Sequence, residues 1–178
     1  GLHTVDRLNK DEGGTDESVT QSQVDVASGT TPYTEGFRKA FRLRNGNQTG
    51  GGGTGDNLYI SYKVEGQDLA QSGWNYTSSS SFVTLSFWVR SDVAQNFYGY
   101  LKSQDGTSQN YPFETGSLSA NTWTKITKTI PGNSNLQFDT DTDANSVAMG
   151  VEFVIGLFFG TNYTGSITLN QWGAWSSS

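Results

Sequence analysis

Between Ser81 and Ser91 the chain reads SFVTLSFWVRS. Val83, Leu85, Phe87 and Val89 fall on one side of an extended backbone, and Thr84, Ser86, Trp88 and Arg90 on the other. Successive side chains of a strand point to opposite faces, so this alternation predicts a strand with one face in a core and one half wet. The same period returns along the chain. Leu58, Ile60, Tyr62 and Val64 predict a strand, and so does WTKITKTI at 123–130, closed by the turn pair Pro131-Gly132. Val147–Phe159 is the most apolar run and predicts the most buried strand. Phe37–Arg44 places Phe37, Lys39, Phe41 and Leu43 on one side; weaker alternation covers 19–26, 97–102, 111–115 and 165–170. No helical period of useful length competes, and only Glu65–Ser72 has the composition for a turn or two of helix. Strands separated by turn signals at fairly regular intervals predict an all-β fold, an antiparallel two-sheet sandwich of the jelly-roll kind. Leu85, Phe87, Val89, Ile126 and Phe153 are its expected inward residues.

The connections are as legible as the strands. Residues 1–16 are weakly patterned, contain Gly13-Gly14, and read as an N-terminal arm ahead of one domain over 17–178. Ser28–Gly36, with two glycines and Pro32, reads as a loop. NGNQTGGGGTG at 45–55 reads as a long, wet hairpin connection. Gly73–Ser80 reads as a loop that carries Trp74 and Tyr76.

Composition narrows the function classes. The 178 residues suit one domain, and 16% are charged, with a net charge of −6. The few scattered basic residues make no patch for a phosphate backbone, which argues against nucleic acid as a partner. There is no cysteine, which removes disulfides, thiolate metal sites and thiol nucleophiles together. The longest apolar run is broken by Glu152 and Gly156, so no membrane span is expected. Abundant Gly, Ser, Thr and Asn is a composition shared by many secreted, surface and virion proteins, and the expected location is extracellular or on a virion.

Catalytic chemistry finds little to build on. The one histidine, His3, stands near a terminus rather than in a patterned segment. Glu65, Glu114 and Glu152 are scattered carboxylates, and Glu152 reads as an outward residue alternating with Val151 and Phe153. A non-enzymatic role without a cofactor follows as the expectation. Asp139, Asp141 and Asp143 have the spacing that opens a calcium loop. Ala144 and Gly150, however, stand where such a loop needs glycine and a bidentate glutamate, so the run reads better as a solvated acidic loop. Trp74, Tyr76, Tyr98, Tyr100 and Tyr111 are the candidates for a glycan platform, since a ring face stacks on the C–H face of a sugar. Trp88 and Trp123 read as packing residues. Asn47, Asn75 and Asn162 begin N-x-S/T triplets in expected loops and are acceptors for glycosylation where the chain meets that machinery.

Four phrases, in this order, carry a resemblance: VEGQDLAQSG, VTLSFWVRS, SLSANTWTKITKTIPG and GVEFVIGLFFGTNYTG. Together they resemble the carbohydrate-binding-module-like jelly rolls of bacteriophage virion and tail-associated proteins from marine and freshwater viruses. The resemblance runs from about Val5 to Trp175 and implies a structural or adhesive role, either as a subunit of a virion appendage or fibre or as a glycan-binding adhesin. It also implies a strand beyond WGAW that is missing before Ser178, which would leave a sheet edge unpaired. Residues 1–12, with Leu2, Val5 and Leu8 as apolar anchors, are the expected strand donor to a neighbouring copy, giving a homo-oligomer or fibre.

Overall fold

The computed structural model describes residues 2–3, 8–138, 149–165 and 167–175. These form an all-β antiparallel sandwich. The larger layer contains β1 (Leu2–His3), β2 (Leu8–Gly13), β5 (Asn57–Glu65), β7 (Asn96–Ser103), β8 (Gln109–Ser117), β10 (Met149–Phe159) and β11 (Gly173–Ala174). Their order across the sheet is β1-β2-β5-β10-β7-β8-β11. Two two-stranded ribbons complete the fold: β3 (Thr20–Asp25) with β4 (Lys39–Arg44), and β6 (Phe82–Val89) with β9 (Thr124–Pro131).

The alternation in SFVTLSFWVRS sets how the layers meet. Val83, Leu85 and Phe87 of β6 pack towards the large sheet, while Thr84 and Ser86 are exposed. The opposing sheet supplies Leu101, Tyr111, Phe113, Val151 and Phe153. Phe87 sits 5.4 Å from Phe153 and 6.5 Å from Phe113, ring centre to ring centre. Of the expected inward set, Ile126 is fully buried, and Leu85, Phe87, Val89 and Phe153 are partly buried. Burying a large apolar side chain is worth about 1.5–3 kcal/mol, so these contacts dominate the stability of the layer pair.

The connections bring two departures from the sequence reading. Thr31–Thr34, expected as loop, forms a short helix α1 with Pro32 in its first turn, where a missing N–H costs nothing. The second helix, α2 (Gly66–Gln71), lies where the composition placed it. The glycine-rich connection, read as a hairpin loop, instead crosses between sheets, since β4 pairs with β3 and β5 with β2 and β10; it is wet but tied down. Asp16 accepts from the Gly50 N–H at 2.6 Å, Glu17 from the Asn47 N–H at 2.6 Å, and Asp56 from the Gly53 N–H at 2.6 Å. Gly52 lies against the Phe158 ring, where a Cβ would come within 2.1 Å of Cζ.

The expectation of a free N-terminal arm is corrected. β2 pairs along its whole length with β5 of its own chain, from Leu8 opposite Tyr62 to Gly13 opposite Asn57, and Leu2–His3 pairs onto β2 in turn. Main-chain groups of Leu8 and its neighbours are therefore used inside the subunit; Val5 lies outside the described residues. At the C-terminal end the expected open edge is covered in part, along the first residues of β8. Gly173 and Ala174 pair with Asn110 and Gln109 of β8, and the Trp175 and Asn170 N–H groups donate to the carbonyls of Ser108 and Pro112, both at 2.8 Å.

Candidate functional site

Strand parity gives the large sheet an outer face that the second layer does not cover. On β5 the inward residues Leu58, Ile60, Tyr62 and Val64 leave Tyr59, Ser61 and Lys63 pointing outward. On β7 the outward residues are Tyr98, Tyr100 and Lys102, and on β8 Asn110, Pro112 and Glu114. The register aligns them in rows. Lys63, Glu152 and Lys102 form one row, and Ser61, Val154, Tyr100 and Pro112 the next. The C-terminal segment from Gly160 onward passes along this face and walls it, making a groove of about 1210 Å³.

Aromatic rings line the groove as a connected stripe. Tyr59 lies 6.1 Å from Phe159, Phe159 lies 6.3 Å from Tyr100, and Tyr100 lies 5.3 Å from Trp175. Tyr163 extends the stripe at 6.3 Å from Phe159. Phe159 is in this position because β10 is irregular between Gly156 and Phe158, where its pairing with β5 shifts register. Such a bulge breaks the strict alternation and re-aims a side chain. Gly156 makes room: a Cβ there would stand 2.1 Å from the Phe159 ring.

Polar groups surround the rings. Burial, with smaller contributions from the carboxylates of Asp11 and Glu152, pushes the Tyr59 phenol up to about 12. Burial likewise pushes Tyr100 well above the usual phenol range, reinforced by Tyr59, Glu152 and Asp11. Both are neutral phenols at ordinary pH, able to donate and to accept. Burial draws the Lys102 ammonium down, against the pull of Glu152, and it stands 3.9 Å above the Trp175 ring. Gln104 donates to Glu152 at 3.3 Å. At the groove wall the Asn57 amide donates to the Tyr163 hydroxyl at 3.0 Å, while its Oδ1 is buried without a hydrogen bond. A buried acceptor left in this condition is costly until a donor reaches it.

The five rings singled out from the sequence divide. Tyr98 and Tyr100 line the groove, Tyr98 with 46% of its surface exposed. Trp74, Tyr76 and Tyr111 do not, and their glycan assignment is corrected. Trp74 is 8% exposed, its indole N–H donates to the Ser81 carbonyl, and with Tyr76 it packs on Phe138. Tyr111 is an inward residue of β8 in the same core, 5.5 Å from Trp172. Apolar residues in an expected loop had a core to enter because the loop folds back under the sandwich. Sequence reading missed Tyr59, Phe159, Tyr163 and Trp175. Parity alone would have found Tyr59, which alternates out of the Leu58–Val64 set.

The other sequence candidates lie elsewhere. Asn47, Asn75 and Asn162 are all exposed, and Asn75 accepts from the Thr77 hydroxyl at 3.1 Å. Glu152 faces outward, as its alternation indicated. Trp88 lies on the far face of the second layer and donates to Glu35 at 3.0 Å. The calcium candidates Asp139, Asp141 and Asp143 lie outside the described residues; among the described residues no cluster of metal-ligating side chains is present. No helix among the described residues is long and apolar enough to cross a membrane. Compared with protein-family models, curated proteins and solved structures, the chain matches none.

Proposed function

We propose that this chain is a non-enzymatic, extracellular binding module whose outer sheet face holds a glycan. The observation that carries the reading is the stripe Tyr59–Phe159–Tyr100–Trp175, set among neutral hydroxyls, amides and carboxylates in an open groove. Sugars offer apolar C–H faces rimmed by hydroxyls, and rings flanked by hydrogen-bonding groups match that pattern. The stripe crosses from β5 to beyond β7, two or more strand spacings of about 4.8 Å, which suits an oligosaccharide better than a single sugar. The resemblance to jelly-roll modules of phage virion proteins is in line with this reading, and a jelly-roll strand order belongs to the same proposal.

The rival reading, a structural subunit of a virion appendage or fibre joined through sheet edges, has less support. The edge it needed at the C-terminal end carries β11, and the arm it needed as donor carries β2. A glycan array followed by titration calorimetry tests the proposal. Binding is expected for one or more oligosaccharides, and Trp175→Ala or Tyr100→Ala should weaken it at least tenfold without altering the circular dichroism spectrum. Absence of binding to any glycan at millimolar concentration overturns it.

A further inference from the structure

Charge is distributed unequally along the groove. Among the described residues that line it, Asp11 alone carries a formal charge; the others are rings, apolar side chains, amides, hydroxyls and glycines. Asp11 stands opposite Tyr59 in the β2–β5 register, so the carboxylate and the first ring of the stripe share one row. Its side chain is on the outer face, since its neighbours Lys10 and Glu12 are the inward pair of β2. It is half-buried, and among the described residues no cation forms an ion pair with it. Its charge reaches the rings, helping to push up the phenols of both Tyr59 and Tyr100. Glu152 is placed differently. It stands between Lys63 and Lys102 in its own row and accepts from Gln104. That row lies four residues along β5 from Tyr59, about 13 Å away. The sheet face therefore runs from a negative end at Asp11 to a positive end at Lys102.

A neutral sugar leaves the Asp11 carboxylate unmatched. Resting on the glycan reading above, we infer that the groove selects a sugar bearing a free, protonated amine, held at Asp11 beside the Tyr59 ring. An ammonium brings three donors and a positive charge, and Asp11 and the neutral Tyr59 phenol are acceptors. Ring faces attract cations as well, and Lys102 above Trp175 is that pairing within the protein itself. Because Lys102 already holds the far end, the amine belongs at the Asp11 end. Acetylation of the amine removes the charge that Asp11 would meet, and a uronate would set one carboxylate against another.

Three trimers that share one backbone and differ only at C2 test the inference by isothermal titration: cellotriose with a hydroxyl, the glucosamine trimer with an amine and the N-acetylglucosamine trimer with an acetamide. Galactose, galactosamine, N-acetylgalactosamine and galacturonic acid repeat the comparison in a second series. In at least one series the amine should bind about fivefold or more tighter than its hydroxyl and acetamide counterparts, the worth of one partly exposed charge pair. Added salt should shrink the advantage. Asp11→Asn, close to isosteric and at an outward position, should erase it without altering the circular dichroism spectrum. Hydroxyl or acetamide forms that bind as tightly as the amine, or an advantage that survives Asp11→Asn, overturn the inference and leave the glycan reading standing. A panel in which nothing binds overturns it too, and the glycan reading falls with it only where the array also finds no ligand.

Discussion

Tyr98 and Tyr100 share a face of β7, but they stand in different surroundings. Tyr98 is largely open, while Tyr100 is held between Phe159 and Trp175 and is partly buried. A ring already fixed by its neighbours loses little freedom on meeting a ligand, so Tyr100 should matter more than Tyr98. Tyr100→Ala is expected to lower affinity tenfold or more and Tyr98→Ala less, as read by titration. Trp74 supplies the opposite case. Its ring is in the core, so Trp74→Ala should cost about 3–5 kcal/mol of stability in urea unfolding, with any binding loss following from unfolding. Tyr59 makes the groove sensitive to alkali. Its phenol ionises near 10 in the unfolded chain and at about 12 in the fold, so the proton is held more tightly in the native state. The stability tied to that proton is fully present below pH 10 and is lost as pH rises through about 12. Tyr59→Phe should flatten this part of the stability profile when unfolding is followed across the alkaline range.

At the scale of elements, β10 holds the site together. Its inward residues Val151 and Phe153 enter the core, and its bulge delivers Phe159 to the outer face. Gly156→Ala should leave the sandwich folded but displace the Phe159 ring, seen as a changed near-ultraviolet circular dichroism spectrum together with weaker ligand binding. Strand positions were open to sequence reading because burial on one side imposes period two, as in 81–91 and 58–64. The bulge was not, because one extra residue changes no composition and breaks the period only where the run is apolar on both sides. The core role of Trp74 and Tyr76 was hidden for a related reason. Their segment has no period, and only the packing of Phe138 from a distant part of the chain shows where the rings go. Charge patterning also left β2 unread. Lys10 and Glu12 point towards the sandwich rather than to solvent and pair at 2.6 Å, with Glu12 also accepting the Val19 N–H at 3.0 Å. Inward charges on a strand near a sheet edge disfavour pairing with foreign strands. They also disguise the strand as a polar arm.

For the whole molecule, the question is which contacts close the large sheet at its N-terminal side. β2 forms six residue pairs with β5, from Leu8–Tyr62 to Gly13–Asn57, and the Lys10–Glu12 pair together with Val19 links this strand to the next. Removing residues 1–13 would strip one side of β5 of its hydrogen bonds and expose Ile60 and Tyr62, which lie on the inward face. Each hydrogen bond contributes about 0.5–1.5 kcal/mol net, and a domain of this size is stable by only about 5–15 kcal/mol in total. The deletion should therefore lower the melting temperature sharply and promote aggregation along the bared β5 edge. Adding a peptide of residues 1–13 should restore the melting temperature, because it can refill the vacated place beside β5. A strand that served only to join neighbouring copies would behave differently: its removal would leave the melting temperature unchanged and convert an assembly into monomers. Light scattering beside thermal unfolding separates the two, and a stable, monomeric deletion variant would show that β2 is dispensable to its own sheet.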